Sequence, residues 1–198
     1  VASTGHSHPK VVKAVQDAAA KFLHICGSDF YYESMVTLCE KLSNPVPGMG
    51  KCKVFLSNSG TEAVEGAIKL ARHHTRRTKL IAFNGAFHGR TTGAVSLNGS
   101  KYTQKAFFGP LLPEVYHSNY SYPYRCSCGL SKAECEKNCT AASQLEANLF
   151  SRHFHPTEVA AIILEPIQGE GGYVVPSIKF LKALRKICDE HGIMLIFD

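Results

Sequence analysis

Residues 159–198 read VAAIILEPIQGEGGYVVPSIKFLKALRKICDEHGIMLIFD, and this stretch decides the fold. It holds an apolar run, Val159–Leu164, then an amphipathic helix pattern over Ser177–His191, and then a second apolar run, Ile193–Phe197. Runs of Ile, Val and Leu that do not alternate with polar residues are typical of strands buried on both faces. A strand, a helix and a second strand in this order predict an α/β fold, with a mostly parallel sheet covered by helices on both faces.

The same alternation extends upstream through most of the chain. Apolar periodicity predicts helices and strands, a breaker of Asn and Pro residues, and one loop-rich stretch. The predicted helices are His8–His24, Ser34–Leu42, Thr61–His74 and Ala141–Arg152. The predicted strands are Lys53–Leu56 and Lys79–Phe83. The breaker is Asn44–Gly48, and the loop-rich stretch is Gly99–Cys139. We therefore expect an N-terminal helical part, residues 1–50, that leads into a large domain, residues 51–198, with a Cys-bearing insert at about 117–140.

The composition excludes several classes of protein. With 198 residues, 44% hydrophobic and 19% charged, the chain is globular rather than disordered, and no apolar run approaches a membrane span. The first residues given do not have the pattern of a signal peptide, so we expect a cytoplasmic or organelle-matrix location. The net charge of +6 comes from scattered Lys and Arg, which favours small anionic partners over nucleic acid. The missing initiator Met and the end on a buried strand lead us to expect a piece of a longer protein.

The first candidate site follows the strand that we expect to end at Leu56. Ser59, Gly60 and Thr61 form a small-residue turn directly before a helix. Free backbone N–H groups at a helix N-terminus bind phosphate, and a glycine lets an anion approach closely. An ordinary N-cap made by Ser59 or Thr61 is the alternative.

The second candidate site follows strand Lys79–Phe83. Phe87 and His88 stand between Gly85 and Gly89, an arrangement that suits stacking on a planar ring. The alternative is a turn with a core Phe and a surface His.

Carboxylates follow the last two strands. Glu165 and Glu170 lie five residues apart in a Gly-rich loop. They can act as an acid–base pair, as a pair of metal ligands or as ion-pair partners, and the alternative is a solvated loop without a function. Asp198 ends a buried strand, where a carboxylate is costly without a cationic or hydrogen-bonding partner, such as a protonated ring nitrogen. Because the carboxyl ends of parallel strands share one edge, these groups should converge. A phosphate cradle, a stacking aromatic and a buried Asp are what pyridoxal 5′-phosphate requires.

The sequence resembles the class III pyridoxal-phosphate aminotransferases, the ornithine and 4-aminobutyrate type. Five segments carry the resemblance: Gly5–Pro9, Asn58–Glu65, Phe87–Thr91, Glu165–Gly172 and Phe197–Asp198. It implies the large domain of fold-type I transferases, incomplete here, in a homodimer. It also implies that Ser59, Gly60 and Thr61 hold the cofactor phosphate, that Phe87 stacks on the ring beside His88, and that Asp198 pairs with the ring nitrogen. Glu165 and Glu170 would then lie on the substrate side, with Glu170 as a gate carboxylate.

The resemblance implies transfer of an amino group from an ω-amino acid, such as 4-aminobutyrate, to 2-oxoglutarate. The family's Schiff-base Lys lies tens of residues beyond the equivalent of Asp198, and no lysine here occupies that position, so we expect the chain alone to be inactive. Two alternatives stay open. One is an amino-acid racemase or epimerase on the same scaffold; the other is a non-catalytic protein that binds metal or nucleic acid.

Four cysteines form a cluster of their own. Cys126, Cys128, Cys135 and Cys139 follow a C-x-C-x6-C-x3-C spacing, and thiolates this close can bind zinc or an iron–sulfur cluster. The alternative is a surface insert with reduced thiols or a local disulfide. The preceding segment Tyr122–Cys126 is similar to a stretch found in members described as 4-aminobutyrate aminotransferases and related racemases.

Overall fold

The computed structural model describes residues 2–43, 50–127 and 129–198. The breaker predicted at residues 44–48 and the cluster member Cys128 therefore lie outside the described residues. The chain divides into two compact units, Val1–Phe55 and Leu56–Asp198. The domain boundary expected at residues 50 and 51 stays a prediction.

In the described residues of the first unit there are two helices. They are α1, Pro9–Lys21, with its proline in the first turn, and α2, Glu33–Leu42. The rings of Phe22 and Tyr32 contact each other at a centroid distance of 5.5 Å. Both helices lie where the apolar periodicity predicted them.

The strand predicted at Lys53–Leu56 is wrong. These residues form no strand in the structure, and none of the described strands pairs with them. The physical reason is that a β-strand exists only through hydrogen bonds to a neighbour. Local β-propensity cannot supply that neighbour.

The second unit is built on a parallel sheet, as predicted. Among the described residues its strands are β1, Lys79–Phe83, β2, Val115–Ser118, β3, Val159–Leu164, and β4, Met194–Phe197. Their order is β2-β1-β3-β4, and every pairing is parallel. All residues of β3 are buried, which accounts for its continuous apolar sequence.

Helices cover both faces of this sheet. Leu80 and Ala82 of β1 pack in one core with α3, Gly60–Thr75, and α4, Thr92–Leu97. The alternate residues Ile81 and Phe83 belong to the opposite core. The helices of that second face are α5, Lys132–Asn138, α6, Ala141–Leu145, and α7, Ile178–His191. The alternation of side chains along a strand therefore divides the core into two layers.

The predicted loop-rich stretch Gly99–Cys139 is more ordered than expected. It contains β2, α5 and two short 3₁₀ turns, Tyr102–Gln104 and Pro123–Arg125. The sequence of β2, Val-Tyr-His-Ser, is too short and too polar to stand out as a strand. Helix α6 also differs from the prediction, because it continues as one π-helical turn over Glu146–Phe150.

The end of helix α7 determines where strand β4 begins. Ser177 caps its N-terminus by accepting a hydrogen bond from Phe180 N, and Gly192 ends it at φ +62°. A left-handed residue costs little when it is glycine, so the chain turns directly into β4. No helix in the described part of the chain is long and apolar enough to cross a membrane.

Candidate active site

The carboxyl ends of all four strands carry polar residues. Asn84 follows β1, Asn119 follows β2, Glu165 follows β3 and Asp198 follows β4. The Asp198 backbone N–H donates to the Leu164 carbonyl at 3.0 Å, which extends the ladder to the last residue. The helices after β1 and β3, α4 and α7, lie on opposite faces, so the crevice between these strands is a topological switch point. Parallel sheets bind ligands at such a point.

Asp198 is paired with His88 at this edge. His88 Nδ1 lies 2.7 Å from Asp198 Oδ2, and the imidazole is buried whereas the carboxylate is 30% exposed. His88 Nε2 is buried and has no hydrogen-bond partner among the described residues. Because a carboxylate oxygen can only accept, Nδ1 is the donor of this hydrogen bond. Part of the Asp198 carboxylate stays exposed at the edge of the sheet.

Asn98 fixes the backbone on both sides of the His88 ring. Its Oδ1 accepts from His88 N at 2.7 Å, and its Nδ2 donates to the Gly89 carbonyl at 2.9 Å. The Asn98 side chain is fully buried. Sequence reasoning missed this residue because nothing in the local pattern marks it.

Glu165 binds two loops together with its two oxygens. Oε1 accepts from Phe87 N at 2.8 Å, and Oε2 accepts from Gly169 N at 2.6 Å. The residue is only 9% exposed. Hydrogen bonds from backbone N–H groups replace the water that a buried carboxylate loses. Glu165 therefore positions Phe87, whose backbone it anchors next to His88.

The N-terminus of α3 lies beside the same loop. Gly89, at φ +131°, packs so closely on Thr61 that a Cβ there would collide with Thr61 Oγ1. Thr61 Oγ1 and Thr91 Oγ1 are 2.8 Å apart. At Gly60, by contrast, a Cβ would meet no atom within 4 Å. As the first N–H groups of the helix, those of Gly60 and Thr61 have no partner within it.

Both readings of Ser59–Thr61 are compatible with the structure. Ser59 is the N-cap, and its Oγ accepts from Glu62 N at 3.3 Å. The cap occupies one of the orphan N–H groups and leaves the earlier ones available. The cap made by Ser59 therefore does not exclude anion binding at this helix end.

Glu65 joins α3 to α4. Its Oε1 accepts from Thr91 Oγ1 at 2.6 Å, from Gly93 N at 2.9 Å and from Ala94 N at 3.1 Å. A carboxylate at the start of α4 satisfies that helix's free N–H groups. The bond fixes the end of the Phe87–Thr91 loop, a role that sequence reasoning did not assign.

Glu170 lies apart from Glu165 and has a cationic partner. Lys101 Nζ is 2.6 Å from Glu170 Oε1, with 60% of the lysine and 38% of the glutamate side chain exposed. The pair links the loop after α4 to the loop after β3. Sequence reasoning missed Lys101, because its partner is 69 residues away.

Two ionisable groups near the site are shifted by their surroundings. Tyr120 donates from its hydroxyl to the Glu165 carbonyl at 2.9 Å, and burial, with a smaller effect of Glu165, raises its pKa. Burial, followed by the charge of Lys105, lowers the pKa of His117. Both groups are therefore neutral near pH 7 and act as hydrogen-bonding supports.

The predicted metal site at the cysteine cluster gains no support. The described residues contain no group of three or more His, Cys, Asp or Glu side chains that could hold a metal ion. Cys135 and Cys139 are buried in the core next to α7, and burial raises the pKa of Cys135 to about 11. Cys139 Sγ lies 3.2 Å from Ser121 Oγ. These thiols pack as small apolar groups with weak hydrogen bonds.

The family of the chain follows from a match to a known family model. The family model described as aminotransferase class III matches residues 1–198. The chain belongs to this family. The resemblance seen in the sequence is thereby confirmed.

The class III aminotransferases similar to this chain are about twice its length. It is 41% identical to the 4-aminobutyrate aminotransferase GabT of Escherichia coli K12 over 198 residues, which is 100% of the chain and 44% of that protein. It is 40% identical to the 5-aminovalerate aminotransferase DavT of Pseudomonas putida, again over 100% of the chain and 44% of the relative.

Solved class III-like structures confirm the α/β fold. An amine transaminase from an uncultivated Pseudomonas species, in a form with pyridoxal phosphate bound, matches with a TM-score of 0.85 and 26% identity, over 96% of this chain and 44% of the other. The omega transaminase of Pseudomonas jessenii in complex with PMP matches with a TM-score of 0.84 and 27% identity, over 97% and 43%.

Proposed function

We propose that the protein to which this chain belongs is a pyridoxal-phosphate-dependent transaminase. It takes an amino group from an ω-amino acid of the 4-aminobutyrate type and gives it to 2-oxoglutarate. The observation that carries the proposal is the pair of His88 and Asp198 at the carboxyl end of β4, 2.7 Å apart. The relatives named for 4-aminobutyrate and 5-aminovalerate transamination support the choice of amino donor.

The residues at the strand ends fit the cofactor's ring. Asp198 has a partly exposed carboxylate, and the buried His88 holds it in place. Such a carboxylate keeps a pyridine nitrogen protonated. When bound, pyridoxal phosphate supplies an electron sink for a proton leaving the substrate carbon. In this proposal Phe87, whose backbone N–H is bound by Glu165, stacks on the ring.

The start of α3 fits the cofactor's phosphate. Gly60 and Thr61 offer backbone N–H groups and the positive end of a 16-residue helix, with open space at Gly60. The close packing of Gly89 on Thr61 brings this helix end next to His88. The proposed phosphate cradle at the start of α3 and the proposed ring site at Phe87 are thus neighbours, as a phosphorylated ring requires.

In this proposal Lys101 and Glu170 lie on the substrate side. The pair is exposed, and ion pairs of this kind contribute little to stability. A substrate carboxylate can therefore take the place of Glu170 on Lys101 at small cost. Glu165 does not act as acid or base in this proposal, because both of its oxygens already accept hydrogen bonds.

The experiment is an assay of the full-length protein with 4-aminobutyrate and 2-oxoglutarate. The proposal expects glutamate in amounts equal to the donor consumed, and no glutamate when 2-oxoglutarate is left out. Inversion of a chiral amino acid without any oxo-acid acceptor would favour a racemase instead. A homodimer, which we also propose, is checked by light scattering on the same sample.

A further inference from the structure

A cavity lies beside the loops that follow β1 and β2, and the proposed transaminase leaves it without a role. Its volume is about 270 Å³, and it opens at the carboxyl ends of β1 and β2. The residues that matter for its chemistry are Asn84, Asn119, Tyr122, Arg125, Ser127 and Gln168. Arg125 comes from the Tyr122–Cys126 segment that stood out in the sequence. We call this space the Arg125 cavity.

The Arg125 cavity is positively charged. Arg125 is its cation, and none of the described residues that line it is acidic. Within the described part of the chain, Arg125 makes no ion pair; its guanidinium lies 5.8 Å from the centroid of the Tyr124 ring. A guanidinium presents a planar fork of donors that matches a carboxylate in two parallel hydrogen bonds.

Several of the polar side chains that line the cavity with Arg125 can donate hydrogen bonds. Asn119 Oδ1 already accepts from Asn84 Nδ2 at 3.0 Å, which leaves the Asn119 amide nitrogen for a ligand. The hydroxyls of Tyr122 and Ser127 add further donors. A few directed polar groups beside aromatic carbon are typical of small-molecule sites.

The floor of the cavity consists of loop backbone and of the Gln168 side chain, which is held by a hydrogen bond. A Cβ on Gly171 would stand 2.6 Å from the Gly85 carbonyl oxygen, and Gln168 Nε2 donates to the Asn84 carbonyl at 2.9 Å. The loops after β1 and β3 are therefore in backbone contact here. A ligand would meet a preformed wall and would lose little free energy in ordering it.

We infer that the Arg125 cavity binds a small carboxylic acid, with the carboxylate on Arg125 and Asn119. The volume has room for an acid of a few carbon atoms and not for a nucleotide. The inference does not depend on the proposed transaminase, because it concerns other residues and is tested by binding rather than by turnover.

The first experiment is footprinting of the full-length protein with phenylglyoxal, which modifies accessible guanidinium groups, followed by peptide mass spectrometry. Succinate is expected to slow modification of Arg125 at least about fivefold, in a saturable way. Arg152, which is exposed and makes no ion pair in the described structure, serves as the internal control and should be unaffected. Sodium chloride at the same ionic strength should protect neither residue.

The second experiment is calorimetric titration with succinate. Arg125→Gln should remove one binding event, Arg152→Gln should remove none, and both variants should keep the wild-type melting temperature. Equal protection of both arginines, protection by sodium chloride, or an unchanged titration of Arg125→Gln would overturn the inference. Equal or better protection by inorganic phosphate would overturn the assignment to a carboxylate. If Arg125→Gln does not fold, the footprint on the wild type decides alone.

Discussion

His88 Nδ1 donates to Asp198 Oδ2 over 2.7 Å, and this bond joins residues that are 110 positions apart. It connects the loop after β1 with the end of β4, two strands that are separated in the sheet by β3. Among the described residues His88 Nε2 has no hydrogen-bond partner, so the bond from Nδ1 to Asp198 is the one that orients the ring. The bond therefore sets where the carboxylate points.

Replacing His88 by Phe should weaken cofactor binding. The ring volume is kept, but Asp198 loses its donor, and a hydrogen bond to a charged group contributes about 1.5–3 kcal/mol. We expect the dissociation constant for pyridoxal phosphate, measured by absorbance titration of the full-length apoprotein, to rise about 10- to 100-fold. His153→Phe, at an exposed histidine, is the control. An unchanged constant for His88→Phe would show that Asp198 is held by other means.

Replacing Gly60 by Ala should separate folding from phosphate binding. A Cβ at Gly60 meets nothing within 4 Å, and Ala is the better helix former by about 1 kcal/mol, so the melting temperature should stay equal or rise. The added methyl group lies where the phosphate should approach the backbone. We expect at least about a tenfold loss of affinity for pyridoxal 5′-phosphate.

The control for Gly60→Ala is a ligand rather than a variant. Pyridoxal without its phosphate should bind the wild type and Gly60→Ala equally. A loss for both ligands would mean that the substitution disturbs the ring site, and a loss for neither would remove Gly60 from the proposed cradle.

Much of this site follows from the sequence, because it depends on local pattern. An apolar run followed by a carboxylate predicts both Glu165 and Asp198 at the edge of the sheet. A small-residue turn before a periodic helix predicts the free N–H groups at Gly60. These features need only the rule that parallel strands end together.

The partners of these residues do not follow from the sequence. Asn98 and Lys101 act through bonds to His88 and Glu170, which depend on how two loops meet above the sheet. No period or spacing encodes such a meeting. For the same reason the segment Lys53–Leu56 has strand-like residues and no strand, since pairing is a tertiary property.

Replacing Glu165 by Gln should destabilise the protein. Glutamine has one acceptor oxygen, so it can serve Phe87 N or Gly169 N but not both, and the other buried N–H loses its partner. An unsatisfied buried donor costs about 1–3 kcal/mol, which urea unfolding of the full-length protein should detect. The exposed Glu190→Gln should cost less than about 0.5 kcal/mol. Equal stability of the two variants would contradict the bridging role.

His117 should make stability fall as the pH falls below about 6.5. Its Nε2 donates to the Leu97 and Asn98 carbonyls at 3.1 and 3.0 Å, while Lys105 Nζ lies 3.4 Å away. Burial, and then the charge of Lys105, lowers its pKa in the folded protein below 6.5. The unfolded chain therefore takes up the proton first as the pH falls. Protonation then favours unfolding, and the stability is restored as the pH rises again.

His117→Gln removes the titrating group and keeps a donor near the same carbonyls. The free energy of unfolding, measured with urea at pH 7, 6 and 5, should therefore decline less steeply for this variant than for the wild type. Lys79 lowers the pKa values of Glu114 and Glu158 below 4.5. These two carboxylates therefore titrate below pH 5 and do not affect the comparison between pH 7 and 5. The exposed His153→Gln should follow the wild-type slope. If His117→Gln follows it as well, the acid sensitivity between pH 7 and 5 arises elsewhere in the protein.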